Sequence, residues 1–308
     1  MPLISIITPS FNQGRFIRQT IESILGQQYP NLELWVIDGG STDETLSHLR
    51  QFETDQRFNW LSEPDHGQSD AINKGLARCQ GELCAWINSD DLLLPEALLS
   101  LATAWQAGPR PMILYGLARH IDENGLDLGY CAAQSAQMSL EKLLWAGKHV
   151  LIQPATFVPT EAFRSVGGVD PAYHYAFDLD LWLKLAEQLP LQFVPHDLAL
   201  YRLHATSKTV ASAPRFIGEF RAILEAAAAR GALPARQARG RAELYGMRTY
   251  LMPDTLNWAA ALRHLWAALR HDARCLPEAV LIFLKAVVRL VIGERRWEQA
   301  RLAKARLG

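Results

Sequence analysis

Two adjacent carboxylates close an apolar run in AWINSDDLLLP, residues 85–95, where Asn88, Ser89, Asp90 and Asp91 follow what reads as a buried strand. Neighbouring strand residues point to opposite faces, but where the chain turns both acids can reach one crevice. One could then hold a divalent cation while the other holds a hydroxyl. Mg2+ and Mn2+ take oxygen ligands, and Mg2+ typically uses one or two carboxylates together with substrate phosphates. The plainer alternative is that these residues and Pro95 cap a helix over PEALLSLATAW. Two other loops raise the same choice. Asp38 ends the run LELWVID ahead of a glycine turn, where a carboxylate can accept N–H or O–H bonds from a nucleobase or ribose. EPDHGQSDAINKG, residues 63–75, offers Lys74 to a phosphate and Asp70 and Asn73 to a sugar or nucleobase, against the reading of an N-capped surface helix.

The elements that must position these groups follow from the alternation of short apolar runs with helix-like segments: LISIITP, RFIRQTIESILGQ, LELWVID, DETLSHLRQF, FNWLSEP, SDAINKGLARC, ELCAWIN. That alternation argues for βαβ units and a mostly parallel central sheet flanked by helices. Ligands of such sheets sit beyond the carboxyl ends of the strands, so the three acidic loops should converge there. Residues 112–205 are less regular, with a strand at MILYG, a turn at DENG and an amphipathic helix over DLDLWLKLAEQL, whose apolar stripe is Leu179, Trp182, Leu183 and Leu185. Asp178 and Asp180, at its start, point about 200° apart, so they need not share one job. After residue 209 the pattern is helical, with breaks near Gly231–Pro234, Pro253 and Pro277. The expected division is a catalytic domain over 1–208 and a basic helical extension over 209–308.

The formal net charge of −1 hides an asymmetry: residues 1–208 carry 14 Lys and Arg against 24 Asp and Glu, and residues 209–308 carry 17 against 8. The acidic half suits a metal-assisted site, and the basic half an anionic partner. Nucleic acid is not expected, because no recognition motif accompanies that charge. The four cysteines have no zinc-like spacing and read as reduced thiols. The start, MPLISIITPSFNQGR, lacks the pattern of a signal peptide, so the expected location is cytoplasmic.

SIITPSFNQGRFIRQTIESILGQQYPNLELWVIDGGSTDET, DHGQSDAINKG, INSDD, FDLDLWLKL and YRLHATS occur in the order seen in family 2 glycosyltransferases of the GT-A fold, which the first two-thirds of the chain resembles. The resemblance implies a nucleotide-diphosphate sugar donor, a divalent metal (Mn2+ or Mg2+), and inversion at the anomeric carbon. Carried over by position, it implies that Thr8, Pro9 and Asp38 form the nucleoside edge, with Asp38 facing the base. Asp70 and Lys74 would lie near the ribose, sugar or diphosphate. Asp91 would be the direct metal ligand, with His204 beside the metal or diphosphate, and Asp90 would contact ribose or donor sugar. Asp178 resembles the catalytic base, and Gln153 falls in an acceptor-side segment; Trp182 nearby could stack on a sugar face, although aromatic residues at such spacing more often fill a core. The chain departs from the family in carrying Asn88 where many relatives place an aspartate. It also lacks a common arginine after the third strand, so UDP is favoured as carrier only by prior.

The C-terminal stretch PEAVLIFLKAVVRLVIGERRWEQARLAKARLG is apolar but broken by Lys285 and Arg289, too short between charges for a span. An apolar face with basic residues and Trp297 suits the interface of an anionic membrane, at the inner face of the plasma membrane, and equally a helical cap packed on protein. The resulting expectation is a sugar transferase acting on a glycan or lipid-linked acceptor in cell-envelope polysaccharide assembly. A noncatalytic nucleotide-sugar or glycan-binding module and a nucleotidyltransferase are the rivals.

Overall fold

The structure is a computed structural model that describes residues 1–131, 136–145, 151–204 and 213–292. Trp297 and the basic run after residue 292 lie outside the described residues. The chain divides into two compact units, Met1–Leu140 with Val150–Leu203, and Glu141–His149 with His204–Gly308.

The first unit opens with β1 (Ile4–Ser10), α1 (Ile17–Leu25), β2 (Leu32–Asp38), α2 (Thr45–Leu49), β3 (Phe58–Ser62), α3 (Gln68–Leu76) and β4 (Leu83–Trp86). All seven residues of β1 are buried, as expected of a parallel strand covered on both faces. The register is parallel from β3 through β2 and β1 to β4, with Ser10 opposite Asp38. Thus the loops after all four strands leave from one edge. Ile17, Ile21 and Ile24 of α1, spaced at three and four residues, fill the core over this sheet.

Beyond β4 the sheet is mixed. It continues through β5 (Leu92–Leu93), α4 (Ala97–Ala107), β6 (Ile113–Ile121), β7 (Asp127–Tyr130), α5 (Leu140–Leu143), β8 (Thr156–Pro159), α6 (Thr160–Ser165), α7 (Phe177–Ala186) and β9 (Leu191–Arg202). The strand order is β3-β2-β1-β4-β8-β6-β9-β5, with β7 paired to β6. β4–β8, β6–β8, β6–β7 and β5–β9 are antiparallel, whereas β6–β9 is parallel. The turn expected at DENG joins β6 to β7, where Asp122 Oδ1 accepts from the Asn124 and Leu126 N–H groups.

The second unit contains α8 (Phe216–Ala229), α9 (Ala235–Thr249), α10 (Trp258–His271) and α11 (Leu276–Ile292). Gly231, at φ +89°, and Pro234 separate the first two helices. The expected break near Pro277 falls between α10 and α11, with Pro277 in the first turn of α11, where its missing N–H costs nothing. Leu244, Met247, Ala261, Ala268, Cys275, Ala279 and Ile282 form a separate apolar core.

Candidate active site

The loops at the carboxyl edge are bonded to one another in an unbroken series. After β1, Asn12 stands at φ +51° and its N–H donates to Ser41 Oγ at 2.7 Å, while Gly14 N–H donates to Asp43 Oδ2 at 2.9 Å. Those bonds join the first loop to the second. Asp38 joins the second to the third: its carboxylate accepts from Gly40 N–H (3.1 Å), Ser41 N–H (2.8 Å), the Ser41 hydroxyl and Ser62 Oγ (2.7 Å). Gln68, opening α3, donates to Asn88 Oδ1 at 2.7 Å and so ties the third loop to the fourth. Asn88 in turn donates to Asp91 Oδ2 (3.2 Å) and Gln153 Oε1 (3.0 Å). Finally the Arg202 N–H, at the end of β9, donates to Asp91 Oδ1 at 2.9 Å.

This geometry revises several expectations. Asp90 and Asp91 do not cap α4, because β5 and Pro95 intervene and the helix begins after Glu96, itself at φ +63°. Asp91 is 1% exposed and both its oxygens accept protein bonds, so it anchors the turn; Asp90 is partly exposed. Of the pair, Asp90 is therefore the more accessible to solvent. Burial, with the Asp90 charge adding to it, pushes the Asp91 carboxyl well above the usual carboxylate range, against the bonds from Arg202 and Asn88. Asp38 is fully buried, with four donors holding it as the post of its loop. A Cβ at the neighbouring Gly39 would lie 2.8 Å from an Asp65 carboxylate oxygen, so a larger residue there would require the Asp65 side chain to move.

Thr8 and Pro9 lie on β1 one strand away from β2. Thr8 Oγ1 and Ser10 Oγ, on the same face of β1, are buried with no hydrogen-bond partner among the described residues. Such groups call for a ligand or water, as buried hydroxyls in folded proteins are otherwise bonded. Asp70 and Lys74 close a local ring: Asp70 accepts from the His66 N–H at 3.1 Å, and Lys74 Nζ lies 3.0 Å from Glu63 and 3.4 Å from Asp70. The Asp70 carboxyl is held below its usual range by the His66 N–H, with Lys74 assisting. Lys74 thus meets a phosphate only by leaving two acids.

Trp182 is not an acceptor platform. It is 2% exposed and stacked on Trp86 at 5.4 Å, inside the core that also receives Phe163 and Phe177. Gln153 is also buried, donating to the Trp86 carbonyl and accepting from Asn88, which makes it part of the support for the fourth loop. The Trp86–Phe177 contact fixes the start of α7 against the end of β4. There Asp178 is partly exposed, with its Oδ1 2.8 Å from the Leu179 nitrogen, whereas Asp180 is buried and paired with Lys184 at 2.6 Å. His204 is partly buried and falls in the second unit.

Of four supporting residues, only Asn73 had a role expected from sequence, as a contact to a sugar or nucleobase. Asn88 and Gln68 join loops, and Asn73 bonds both ways with Val169 (2.9 and 3.0 Å), holding the segment that leads to α7. Arg202, 3% exposed, is the fourth. Beyond its backbone bond to Asp91, its Nε donates to the Asp90 carbonyl at 2.8 Å and its Nη2 to Gln19 at 3.0 Å, with the guanidinium over the Phe16 ring. YRLHATS contains Arg202, but nothing local marks it as a partner of the fourth loop.

Comparisons with known proteins give this arrangement a family. An uncharacterized glycosyltransferase of Rickettsia prowazekii is 30% identical over 213 residues, covering 68% of this chain and 66% of that protein. The chain spans from 34% to 66% of the lengths of the first four Rickettsia relatives it matches. Among solved structures, residues 1–349 of Staphylococcus aureus TarS in complex with UDP-GlcNAc superpose with a TM-score of 0.68 at 16% identity, covering 97% of this chain and 91% of that one. The mannosyltransferase PcManGT from Pyrobaculum calidifontis, in complex with GDP-Man and Mn2+, gives 0.61 at 20% identity, covering 99% and 86%. These likenesses show a shared GT-A-like fold. The model of glycosyl transferase family 2 matches residues 5–163, which is more than half of the chain, and the chain belongs to that family.

Proposed function

We propose that the first unit transfers a glycosyl group from a nucleotide-diphosphate sugar to a hydroxyl of a glycan or lipid-linked acceptor, inverting the anomeric carbon, in polysaccharide or cell-envelope assembly. The observation that carries this reading is the continuous hydrogen-bonded rim joining the loops after β1, β2, β3, β4 and β9, with the partly exposed Asp90 on it. Thr8 and Ser10 supply hydroxyls suited to the nucleoside. UDP-sugars are the first donors to test and GDP-sugars the second, since TarS and PcManGT were solved with one of each.

The residues present fit a hard divalent cation, Mn2+ or Mg2+. Asp90 offers an anionic oxygen, and Asn88 Oδ1 retains a lone pair beyond the bond from Gln68. Among the described residues no group of three or more His, Cys, Asp or Glu could hold a metal, so water and donor phosphates would complete the shell. A bound cation would neutralise charge on the leaving diphosphate.

Asp178 acts as general base. The acceptor oxygen bonds to the anomeric carbon from the face opposite the diphosphate. The carbon–oxygen bond to the diphosphate breaks, its electron pair leaving with the nucleotide, and the hydroxyl proton passes to the Asp178 carboxylate. Nucleotide release by the purified chain, across a donor panel with Mn2+ or Mg2+ and a membrane extract as acceptor source, tests the reading. Asp178→Asn should lower turnover about 10²–10⁴-fold while cation-dependent donor binding persists. Unchanged turnover would remove Asp178 as base. Donor binding without release from any acceptor would make the chain a binding module, and pyrophosphate release a nucleotidyltransferase.

A further inference from the structure

The second unit leaves a large apolar surface in water. Of the 18 large hydrophobic residues exposed among the described residues, 13 lie between Met252 and Val291. Soluble surfaces rarely concentrate apolar groups in this way unless something covers them.

The helix wheel shows why this surface is not simply an imperfect core. In α11, Ala279, Ile282 and Ala286 turn toward the unit's own core, in line with Cys275 just ahead of the helix. Leu276, Val280, Leu284 and Val291 lie on the other side and are 49–79% exposed. Its charged residues Glu278, Lys285 and Arg289 occupy only a narrow strip between the two faces. In α10 the outward row is Trp258, Leu262 and Trp266, spaced by four, with Trp266 65% exposed. The rows are continuous with one another: the exposed rings of Trp258 and Phe283 meet edge to face at 5.7 Å.

Charge selects the occupant. Helix α10 carries Arg263 and Arg270 and no acid, and the Arg270 guanidinium lies 5.1 Å from the centre of the Trp266 ring. Residues 209–308 carry 17 Lys and Arg against 8 Asp and Glu. A second copy presenting the same face would set like charge against like. No helix among the described residues is long and apolar enough to cross a membrane. Apolar rows edged by arginine and tryptophan instead suit helices lying in the plane of a headgroup layer, with the rings and aliphatic side chains below the charged heads.

We infer that the outward face of α10 and α11 docks on an anionic lipid bilayer. The inference goes beyond the transferase reading and does not depend on it, because lipid binding is measured without donor or acceptor. If both hold, docking confines the enzyme to the surface where a lipid-linked acceptor resides.

Vesicle flotation of the full chain tests it, comparing phosphatidylcholine alone with an equal mixture of phosphatidylcholine and phosphatidylglycerol. The wild-type chain should float with the mixed vesicles and remain largely free with the neutral ones. Arg263→Gln with Arg270→Gln should weaken binding about tenfold or more, each cation near such a surface contributing on the order of fivefold. Leu284→Glu, at a site 53% exposed and therefore harmless to folding, should abolish it. The circular dichroism and melting of each variant should match the parent. Equal binding to both vesicle types would overturn the inference, as would no binding to either. Concentration-dependent self-association removed by Leu284→Glu, without flotation, would assign the face to a second copy instead.

Discussion

A carboxylate serves a cation only if water and ligand can reach it. Asp91 is 1% exposed, with Arg202 N–H and Asn88 Nδ2 on its two oxygens, while Asp90 is partly exposed. Asp91→Ala should therefore cost about 1–3 kcal/mol of stability, because it strands a buried N–H donor. Asp90→Ala should change stability by less than about 0.5 kcal/mol and instead remove the Mn2+ dependence of nucleotide-diphosphate binding. Denaturant unfolding and a Mn2+ titration of nucleotide binding separate the two. The reverse pattern would restore Asp91 as the ligand. Adjacent acids in a turn look alike in sequence. Their burial differs only because Arg202, 111 positions away, comes to rest beside one of them.

Among the elements, α8, α9 and α10 meet at a buried acid. Glu243 of α9 accepts from Arg221 of α8 at 2.6 Å and lies 2.7 Å from His264 Nδ1 of α10. The His264 bond, aided by Arg221 and opposed by burial, holds the Glu243 carboxyl below the usual glutamate range. A depressed folded-state pKa gives stability that is present above the unfolded value of 4.5 and lost as pH falls through the folded one. The melting temperature should accordingly fall on acidification below about pH 4.5, and Glu243→Gln should flatten that fall while costing about 1–3 kcal/mol at neutral pH. An unchanged acid limb would mean that the three helices are joined by packing alone. Elements such as these were readable in sequence where burial leaves a period: the continuous apolar run of β1, the stripe of α7, the proline at the start of α11. What one helix packs against was not. Trp182 at helical spacing suits a core more often than a sugar platform, and its stacking on Trp86, 96 positions earlier, settles it for the core. The same holds for the antiparallel outer half of the sheet, since strand direction depends on pairings between distant segments and leaves no local pattern. Gln68 meeting Asn88 and Asn73 meeting Val169 are likewise products of the assembled fold.

At the scale of the whole molecule, charge and topology make a joint demand on the donor. Residues 1–208 carry ten more acids than bases, so a nucleotide diphosphate approaches a region of its own sign. Lys74, the cation placed to offset that field locally, is already shared between Glu63 and Asp70. A divalent cation is the simplest means of joining the two anions, and the strand-end rim is where the fold can hold it. Binding should then stabilise several distant segments together, by about 2.7 kcal/mol at a hundredfold excess of ligand over its Kd. In hydrogen exchange with UDP and Mn2+, amides in 10–14, 39–44, 62–68 and 88–92 should slow as one set. The turn at 26–31, which precedes β2 at the opposite end of the strands, should not change. Chelating the cation should erase the protection, and raising the salt without it should recover only part, because screening weakens repulsion but supplies no bridge. Protection confined to a single loop, or persisting undiminished after chelation, would mean that the rim does not act as one site and that the acids at its strand ends serve the fold alone.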